Sequence, residues 1–153
     1  MSKQIAFHCP GVAKSERKRQ RFVPGKGRVG HRTDEPDRAD FKARLAAFAA
    51  KAFPEPLQGP VGLSLQVLRP QPKSYPKKPT ASKPWPWADV AKPDCDNFAK
   101  ICQDALNGIA FVDDAQIIDL RVTKGWGVHG VRVTVWEVEE PKAEQAPEEE
   151  QVA

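Results

Sequence analysis

The stretch from 70 to 93 constrains the fold more than any other part of the sequence, because it contains seven prolines. They are Pro70, Pro72, Pro76, Pro79, Pro84, Pro86 and Pro93. A proline lacks the backbone N–H and has a fixed φ angle, so this stretch can form neither a helix nor a central strand. The regular elements must lie on either side of it. The chain of 153 residues suffices for one compact domain, which is expected over residues 1–139.

Hydrophobic periodicity outside this stretch predicts an α/β fold with the order β-α-β-α-β-β. Strands are predicted at 5–11, 61–68, 117–123 and 131–138, and helices at 37–53 and 97–107. A short turn over 125–130 separates the last two strands, which predicts that they pair with each other as a hairpin. The apolar faces of the two helices are formed by Phe41, Leu45, Phe48, Ala52, Phe98, Ile101, Cys102, Ala105 and Ile109.

The charge of the chain is unevenly distributed. The net charge is +4, but the residues from Glu137 onward contain seven glutamates and one lysine, so residues 1–136 carry +10. A body this basic favours a polyanionic partner such as nucleic acid, with solubility alone as the alternative. Residues 140–153 form a tail rich in glutamate, alanine and proline, which is expected to be disordered.

Residues 14–32 contain eight lysines or arginines and a single acid, Glu16. Three glycines and a proline argue against regular structure here, which predicts a flexible basic loop that contacts DNA phosphates. A solvated loop without a partner is the alternative. The residues expected to bind DNA, two of them in the proline-rich stretch, are Lys14, Arg17, Lys18, Arg19, Arg21, Lys73 and Lys77.

The proline-rich stretch also interleaves lysines with the aromatic residues Tyr75, Trp85 and Trp87. An extended segment of this composition can contact phosphates while its rings stack on bases. It can equally be a stiff linker whose rings pack on the domain, and packing is the use predicted for Trp85 and Trp87. Trp126 and His129, in the last turn, are predicted to close the hairpin rather than to touch DNA.

The sequence predicts a cytoplasmic protein. No apolar run approaches the roughly 20 residues that a membrane span needs, and the N-terminus has no signal-peptide pattern. The three cysteines, Cys9, Cys95 and Cys102, are scattered and form neither a CxxC pair nor a disulfide framework.

The motif KPDCDN at 92–97 places two aspartates one residue apart at the start of the second predicted helix. Carboxylates repel one another unless a cation lies between them, and Mg²⁺ binds hard oxygen ligands of this type. An aspartate at a helix N-terminus is also often only a cap, so the motif by itself leaves both interpretations open. The acids around this helix are Asp94, Asp96, Asp104, Asp113, Asp114 and Asp119.

The spacing of Asp96, Lys100 and Asp104 places all three along one face of the second helix. A surface salt-bridge ladder is the simpler explanation, and an approach of Lys100 to a metal and a phosphate is the functional one. A helix of about 11 residues is roughly 16 Å long. Asp114 can therefore meet Asp96 only if the chain folds back beside the helix or the helix is short.

The run KPDCDNFAKICQDALNGIAFVDDAQIIDL strongly resembles the RusA-like endonucleases, which are Holliday junction resolvases of bacteria and their phages. Their signature is K-P-D-x-D-N, then a helix with K and D-A-L-x-G, then D-D-x-Q-[IV]. These parts begin here at Lys92, Lys100, Asp104 and Asp113. Softer matches extend the resemblance over most of residues 5–138, at Pro10-Gly11, Gly59-Pro60-Val61, 69–74 and Lys124.

The resemblance implies a mixed β-sheet with helices and a Mg²⁺-dependent nuclease that acts as a homodimer on four-way DNA junctions, in recombination and repair. It also implies a set of catalytic residues with Lys100 essential and two acids in accessory roles. Dimer packing would be a second way to gather acids that one chain keeps apart. The implied metal-binding carboxylates are Asp94, Asp96 and Asp114, and the accessory acids are Asp104 and Asp113.

Two alternatives to a junction resolvase remain open. One is a Mg²⁺ nuclease for flaps or other branched DNA. The other is an inactive or weakly active module that binds branched DNA and retains the motif for structure. Within the motif, Cys95 replaces a more usual aliphatic residue and is expected to be buried as a small apolar side chain.

Overall fold

The structure, a computed structural model, describes residues 2–15, 18–32 and 36–142, with the backbone only for 18–23, 28–32 and 36. The predicted α/β class and the order β-α-β-α-β-β of the main elements are confirmed, with one additional hairpin. In chain order the elements are β1 (Gln4–Pro10), β2 (Lys18–Val23), β3 (Gly27–Arg32), α1 (Pro36–Ala52), β4 (Val61–Arg69), α2 (Cys95–Leu106), β5 (Ile117–Trp126) and β6 (Gly130–Glu137).

The main sheet has the strand order β1-β6-β4-β5 and is mixed. β4 pairs in parallel with β5 and antiparallel with β6, which in turn pairs antiparallel with β1. A parallel pair needs a crossover connection, and here residues 70–94 and α2 provide it. The ends of β4 and β5 therefore bring the proline-rich stretch and the KPDCDN motif to one edge of the sheet.

The predicted hairpin between β5 and β6 is wrong, because β4 lies between these two strands. The side chains of β4 and β6 that face the helices are fully buried, as at Leu63 and Val133. β5 carries Asp119, Arg121 and Lys124 and lies at the edge of the sheet. Burial of β4 and β6, the two most apolar strands, therefore determines the pairing more than the short connection between β5 and β6 does. This connection crosses the end of β4, where Gly127 N–H donates to Arg69 O.

Both helices contribute their predicted apolar faces to one core. Phe41 and Leu45 of α1, and Phe98, Ile101, Cys102 and Ala105 of α2, are buried against the β4 and β6 valines and leucines. Phe48, Ala52 and Ile109 are partly buried at its margin. α1 also packs on α2 and on β1, and α2 packs on β5. This packing fixes α2, and with it the acidic face, above the β5 edge of the sheet.

The prediction of a loop without regular structure over 14–32 is wrong, because β2 and β3 form a two-stranded antiparallel hairpin there. The turn between them contains Pro24 and Gly25, and the φ angles of Gly25 and of Gly27, the first residue of β3, are positive at 85° and 71°. Because the turn-forming residues are concentrated at one point, they form a single turn between two strands and do not prevent regular structure in the rest of the segment. Arg17 lies outside the described residues, as does the predicted disordered tail from residue 143 onward.

The proline-rich stretch forms turns and bends without helix or strand, as predicted. The predicted packing of Trp85 and Trp87 is wrong, since their side chains are 57% and 76% exposed. Pro86 between them is buried instead, and its carbonyl accepts hydrogen bonds from Trp126 Nε1 and Gln71 Nε2. None of the helices in the described ranges is long and apolar enough to cross a membrane.

The three cysteines differ in burial, which gives a testable prediction. Cys9 and Cys102 are buried, and burial raises both thiol pKa values, that of Cys102 to about 12. Cys95 is only partly buried, contrary to expectation. Because the thiolate is the reactive species, a thiol reagent near neutral pH should modify one cysteine quickly in the folded protein and three in denaturant. Mass spectrometry of Cys95→Ser, where the fast reaction should vanish, checks the assignment; fast modification of Cys9 or Cys102 would contradict it.

Candidate active site

Asp94 occupies the N-cap position of α2, but its side chain makes no capping hydrogen bond. Its carboxylate instead accepts from the Lys92 Nζ at 2.7 and 2.9 Å. This hydrogen bond, with the charges of Lys92 and Lys124, holds the pKa of Asp94 below its ordinary value. The helix-cap interpretation of the first aspartate therefore does not describe what its carboxylate does.

Two cations at the ends of β4 and β5 hold the backbone that leads into Asp94. Lys124 Nζ donates to the carbonyls of Ala91 at 2.8 Å and Pro93 at 3.1 Å. Arg69 donates to the Ala91 and Lys92 carbonyls, both at 2.8 Å, and forms a two-point ion pair with Asp89. The motif is thus attached directly to the sheet rather than carried by a free loop.

A cavity of about 300 Å³ runs along the acidic face of α2. Asp96, Lys100 and Asp104 line it from the helix, Asp114 lines it from the following turn, and Leu120 of β5 forms part of its wall. Among the residues that the structure describes, no ion pair joins Lys100 to Asp96 or Asp104. The predicted salt-bridge ladder is therefore not formed, and the Lys100 ammonium remains exposed beside the cavity.

Asp114 begins a single 3₁₀ turn, Asp114–Gln116, that is firmly attached to the fold. Asp113 caps this turn, and Gln116 Oε1 accepts from the Asp113 N–H while its Nε2 donates to the Leu57 and Gly59 carbonyls. A hydrogen bond with the Asp113 side chain, loss of water and the charges of Asp113 and Asp104 raise the pKa of Asp114. Asp113 therefore acts as a cap that presents Asp114.

The chain does fold back after α2, and this brings Asp114 to the cavity that Asp96 also lines. Asp114 enters beside Asp104, in the C-terminal half of the helix. Asp94 lies outside the cavity lining, and its carboxylate forms an ion pair with Lys92. In residues 2–15, 18–32 and 36–142, no three acidic, histidine or cysteine side chains converge closely enough to hold a metal ion. The sequence-predicted trio is thus only partly assembled within one chain.

The donor atoms of this cavity nevertheless suit a hard divalent cation. Asp96, Asp104 and Asp114 offer carboxylate oxygens, and Mg²⁺ needs only one or two of these beside water and phosphate oxygens. The hydrogen bond with Asp113 and loss of water raise the pKa of Asp114 most, and the negative charges of Asp113 and Asp104 add to this; a cation would offset those charges. Of these carboxylates, Asp104 is the one on α2 whose charge acts on Asp114.

The residues predicted to bind DNA fall into three groups. Lys14 lines a cleft of about 680 Å³ beside the N-terminus of α2, together with Arg38, Lys92 and His129. Lys73 and Lys77 are exposed on the proline-rich stretch. Three lie in β2, where only the backbone is described, and one is outside the described residues; these are Lys18, Arg19, Arg21 and Arg17.

Sequence reasoning missed the Arg69–Asp89 ion pair and the role of Gln116. A signal for the first was present, because Asp89 is the one acid between Glu55 and Asp94 in a stretch rich in lysine. A lone acid in a basic segment is often fixed by a specific partner, since an unpaired buried carboxylate is costly. Its distant partner Arg69 could not be identified from spacing along the chain.

The site combines several carboxylates and one lysine on the surface of a basic protein, and this combination favours a nuclease. Acids that face DNA require a bound cation between them and the phosphates, and a positively charged surface around them binds the DNA. The comparison with protein families agrees: the model of endodeoxyribonuclease RusA matches residues 10–136. The chain belongs to the RusA endodeoxyribonuclease family, which implies an endonuclease. It is also 37% identical over 98 residues to the uncharacterized protein YqaN of Bacillus subtilis (strain 168), covering 61% of this chain and 69% of that protein.

Proposed function

We propose that the protein is a Mg²⁺-dependent, structure-specific endodeoxyribonuclease that resolves four-way DNA junctions in recombination and repair. One observation carries this proposal. Asp96, Lys100 and Asp104 of α2 line one cavity together with Asp114, which comes from a turn that Gln116 attaches to the Leu57 and Gly59 carbonyls before β4. Family membership supports the nuclease class, and the arrangement provides carboxylates and a cation on one open face.

In this proposal, each side chain of the site has a task of its own. Asp96 and Asp114 would hold the ion, and the Asp94 carboxylate, which pairs with Lys92 in this structure, would be the third ligand. Bound Mg²⁺ supplies charge neutralisation at the phosphate and an acidified water. Lys100, which has no salt-bridge partner among the described residues, is a fixed positive charge for the negative charge that develops on the phosphate. Asp113 and Gln116 keep Asp114 in place.

A homodimer follows from the substrate that we propose. A four-way junction has two strands to cut at symmetric positions, and a two-fold dimer carries two identical sites with the same symmetry. The basic body, +10 over residues 1–136, supplies affinity for the DNA arms that decreases with salt. Lys14 and the neighbouring cations of the large cleft would contact phosphates near the N-terminus of α2.

The test is a cleavage assay of the purified protein on four-way junctions, three-way junctions and linear duplexes, with Mg²⁺ and with EDTA. We expect Mg²⁺-dependent paired cuts in the four-way junction and much slower cutting of the other two. Equal rates on the two junctions, with slow cutting of the duplex, would favour a nuclease for other branched DNA, and equal rates on all three would overturn the proposed structure specificity. Tight junction binding without cleavage at any Mg²⁺ concentration would instead favour the binding module.

A further inference from the structure

Two tryptophans of the proline-rich stretch project into solvent beside an exposed valine. Trp85, Trp87 and Val90 are 57%, 76% and 66% exposed. An exposed pair of tryptophans adds unfavourable apolar surface unless something covers it, because tryptophan is highly buried on average. Their exposure therefore calls for a ligand that covers flat aromatic surface.

A small groove lies against this surface. It has a volume of about 270 Å³ and is lined by Tyr75, Lys83, Trp85 and Val90, among others. The Lys83 ammonium lies 4.6 Å from the centre of the Tyr75 ring, and the Tyr75 ring packs edge-on against Trp126 at 5.3 Å. The groove thus combines aromatic faces with one positive charge at its margin.

The backbone around the groove is held by specific hydrogen bonds. Tyr75 N–H donates to Pro72 O at 3.0 Å, and Lys83 N–H donates to the Thr80 hydroxyl at 3.0 Å. Trp126 of the sheet donates to Pro86 O at 3.0 Å. A ligand would therefore meet a backbone that is already positioned, which lowers the conformational entropy lost on binding.

The charge of the stretch points to the ligand. Residues 70–88 contain four lysines and no acid, and the one following carboxylate, Asp89, is buried in its pair with Arg69. Lysines interleaved with exposed rings suit a ligand that carries a negative backbone and flat apolar faces. Single-stranded nucleic acid has this composition, since every base has a face that can stack on an aromatic ring.

We infer that residues 73–90 form a stacking surface for unpaired bases of the DNA strand close to the cleavage site. The inference rests on the proposed function, because it concerns the substrate of the same site. The surface joins the site through Asp89, which Arg69 fixes to the sheet, and the KPDCDN motif follows at once. Trp85 and Trp87 stack on bases while Lys77 and Lys83 contact phosphates. A junction whose central bases open would present such unpaired bases.

The experiment measures the affinity of the full chain for two labelled oligonucleotides of equal length by fluorescence anisotropy in EDTA. One is oligothymidylate and the other is the same backbone with abasic sites. Trp87→Ala should weaken oligothymidylate binding at least about fivefold, the effect of one lost base–aromatic stack, and leave abasic binding unchanged. Trp87→Phe should keep the wild-type preference for bases. Lys77→Ala should weaken both oligonucleotides equally and lower the salt dependence.

Trp85→Ala should give the same loss as Trp87→Ala, with melting temperatures near that of the wild type. Unchanged affinity for oligothymidylate in both tryptophan variants would overturn the inference, as would equal losses on both oligonucleotides. A change in oligomeric state without a change in affinity would also overturn it and assign the surface to a second copy of the chain. Since EDTA prevents cleavage, failure here leaves the proposed nuclease intact, and an inactive wild type leaves this binding result intact.

Discussion

Asp96→Asn is expected to lower the rate of Mg²⁺-dependent junction cleavage by roughly 100-fold or more, the loss seen when one preorganised electrostatic group is removed from an active site. The substitution keeps the shape of the side chain and removes its charge. Asp96 is exposed and lines the α2 cavity without an ion-pair partner among the described residues. Stability should therefore change by less than about 0.5 kcal/mol.

Junction binding by Asp96→Asn should persist in EDTA, because the change removes a negative charge that would face the phosphates. Asp40→Asn is the matched control, since Asp40 is an exposed aspartate on α1, outside the α2 cavity lining. This control should cleave at the wild-type rate. If Asp96→Asn cleaves as fast as Asp40→Asn, the acidic face of α2 is not the catalytic site.

Arg69→Ala is expected to destabilise the fold by about 3–5 kcal/mol, because it leaves the carboxylate of Asp89 buried without its partner. Asp89 has a side-chain exposure of 1% and Arg69 of 21%. The substitution also removes the donors to the Ala91 and Lys92 carbonyls, so cleavage should decrease together with stability. Chemical denaturation of wild type and variant measures the first effect, and the junction assay measures the second.

The exposed pair of Arg121 with Asp119 provides the control for this prediction. Arg121 has a side-chain exposure of 68%, so Arg121→Ala should cost less than about 1 kcal/mol. A double variant, Arg69→Met with Asp89→Leu, should regain much of the stability lost in Arg69→Ala, since a buried pair replaced by apolar groups is often close to neutral. Equal costs for Arg69→Ala and Arg121→Ala would show that burial of Asp89 does not matter.

Periodicity along the chain predicted the four strands of the main sheet and both helices, but it missed the β2–β3 hairpin and did not show which strands pair. α2 and β4 each bury one regular face, so the spacing of Phe98, Ile101 and Leu63 was sufficient to find them. The neighbours of β5 depend on which strands the whole sheet buries best, and this is a property of the assembled fold. A short connection between β5 and β6 was therefore a poor guide.

The candidate site was predictable in its residue types and less so in its geometry. The motif and the resemblance indicated Asp94, Asp96, Lys100 and Asp114, and the structure places three of these around one cavity. The sequence could not show that Asp94 pairs with Lys92 and does not cap the helix, because an aspartate at this position can do either. The exposure of Trp85 and Trp87 likewise depends on the turns between the prolines.

The ion pair between Arg69 and Asp89 closes the segment between them into a loop whose two ends meet at the sheet. The loop begins after Arg69, the last residue of β4, and ends at Asp89, which binds the Arg69 side chain before α2 begins. The position of Asp94 is therefore set by the pair and by Lys124, and not by how many residues lie in between. Since the entropy cost of closing a loop rises slowly with its length, residues 71–88 can lengthen, shorten or change composition while the acidic site stays in register. Under the stacking inference above, substrate preference can then change while the attachment of Asp94 to the sheet stays the same.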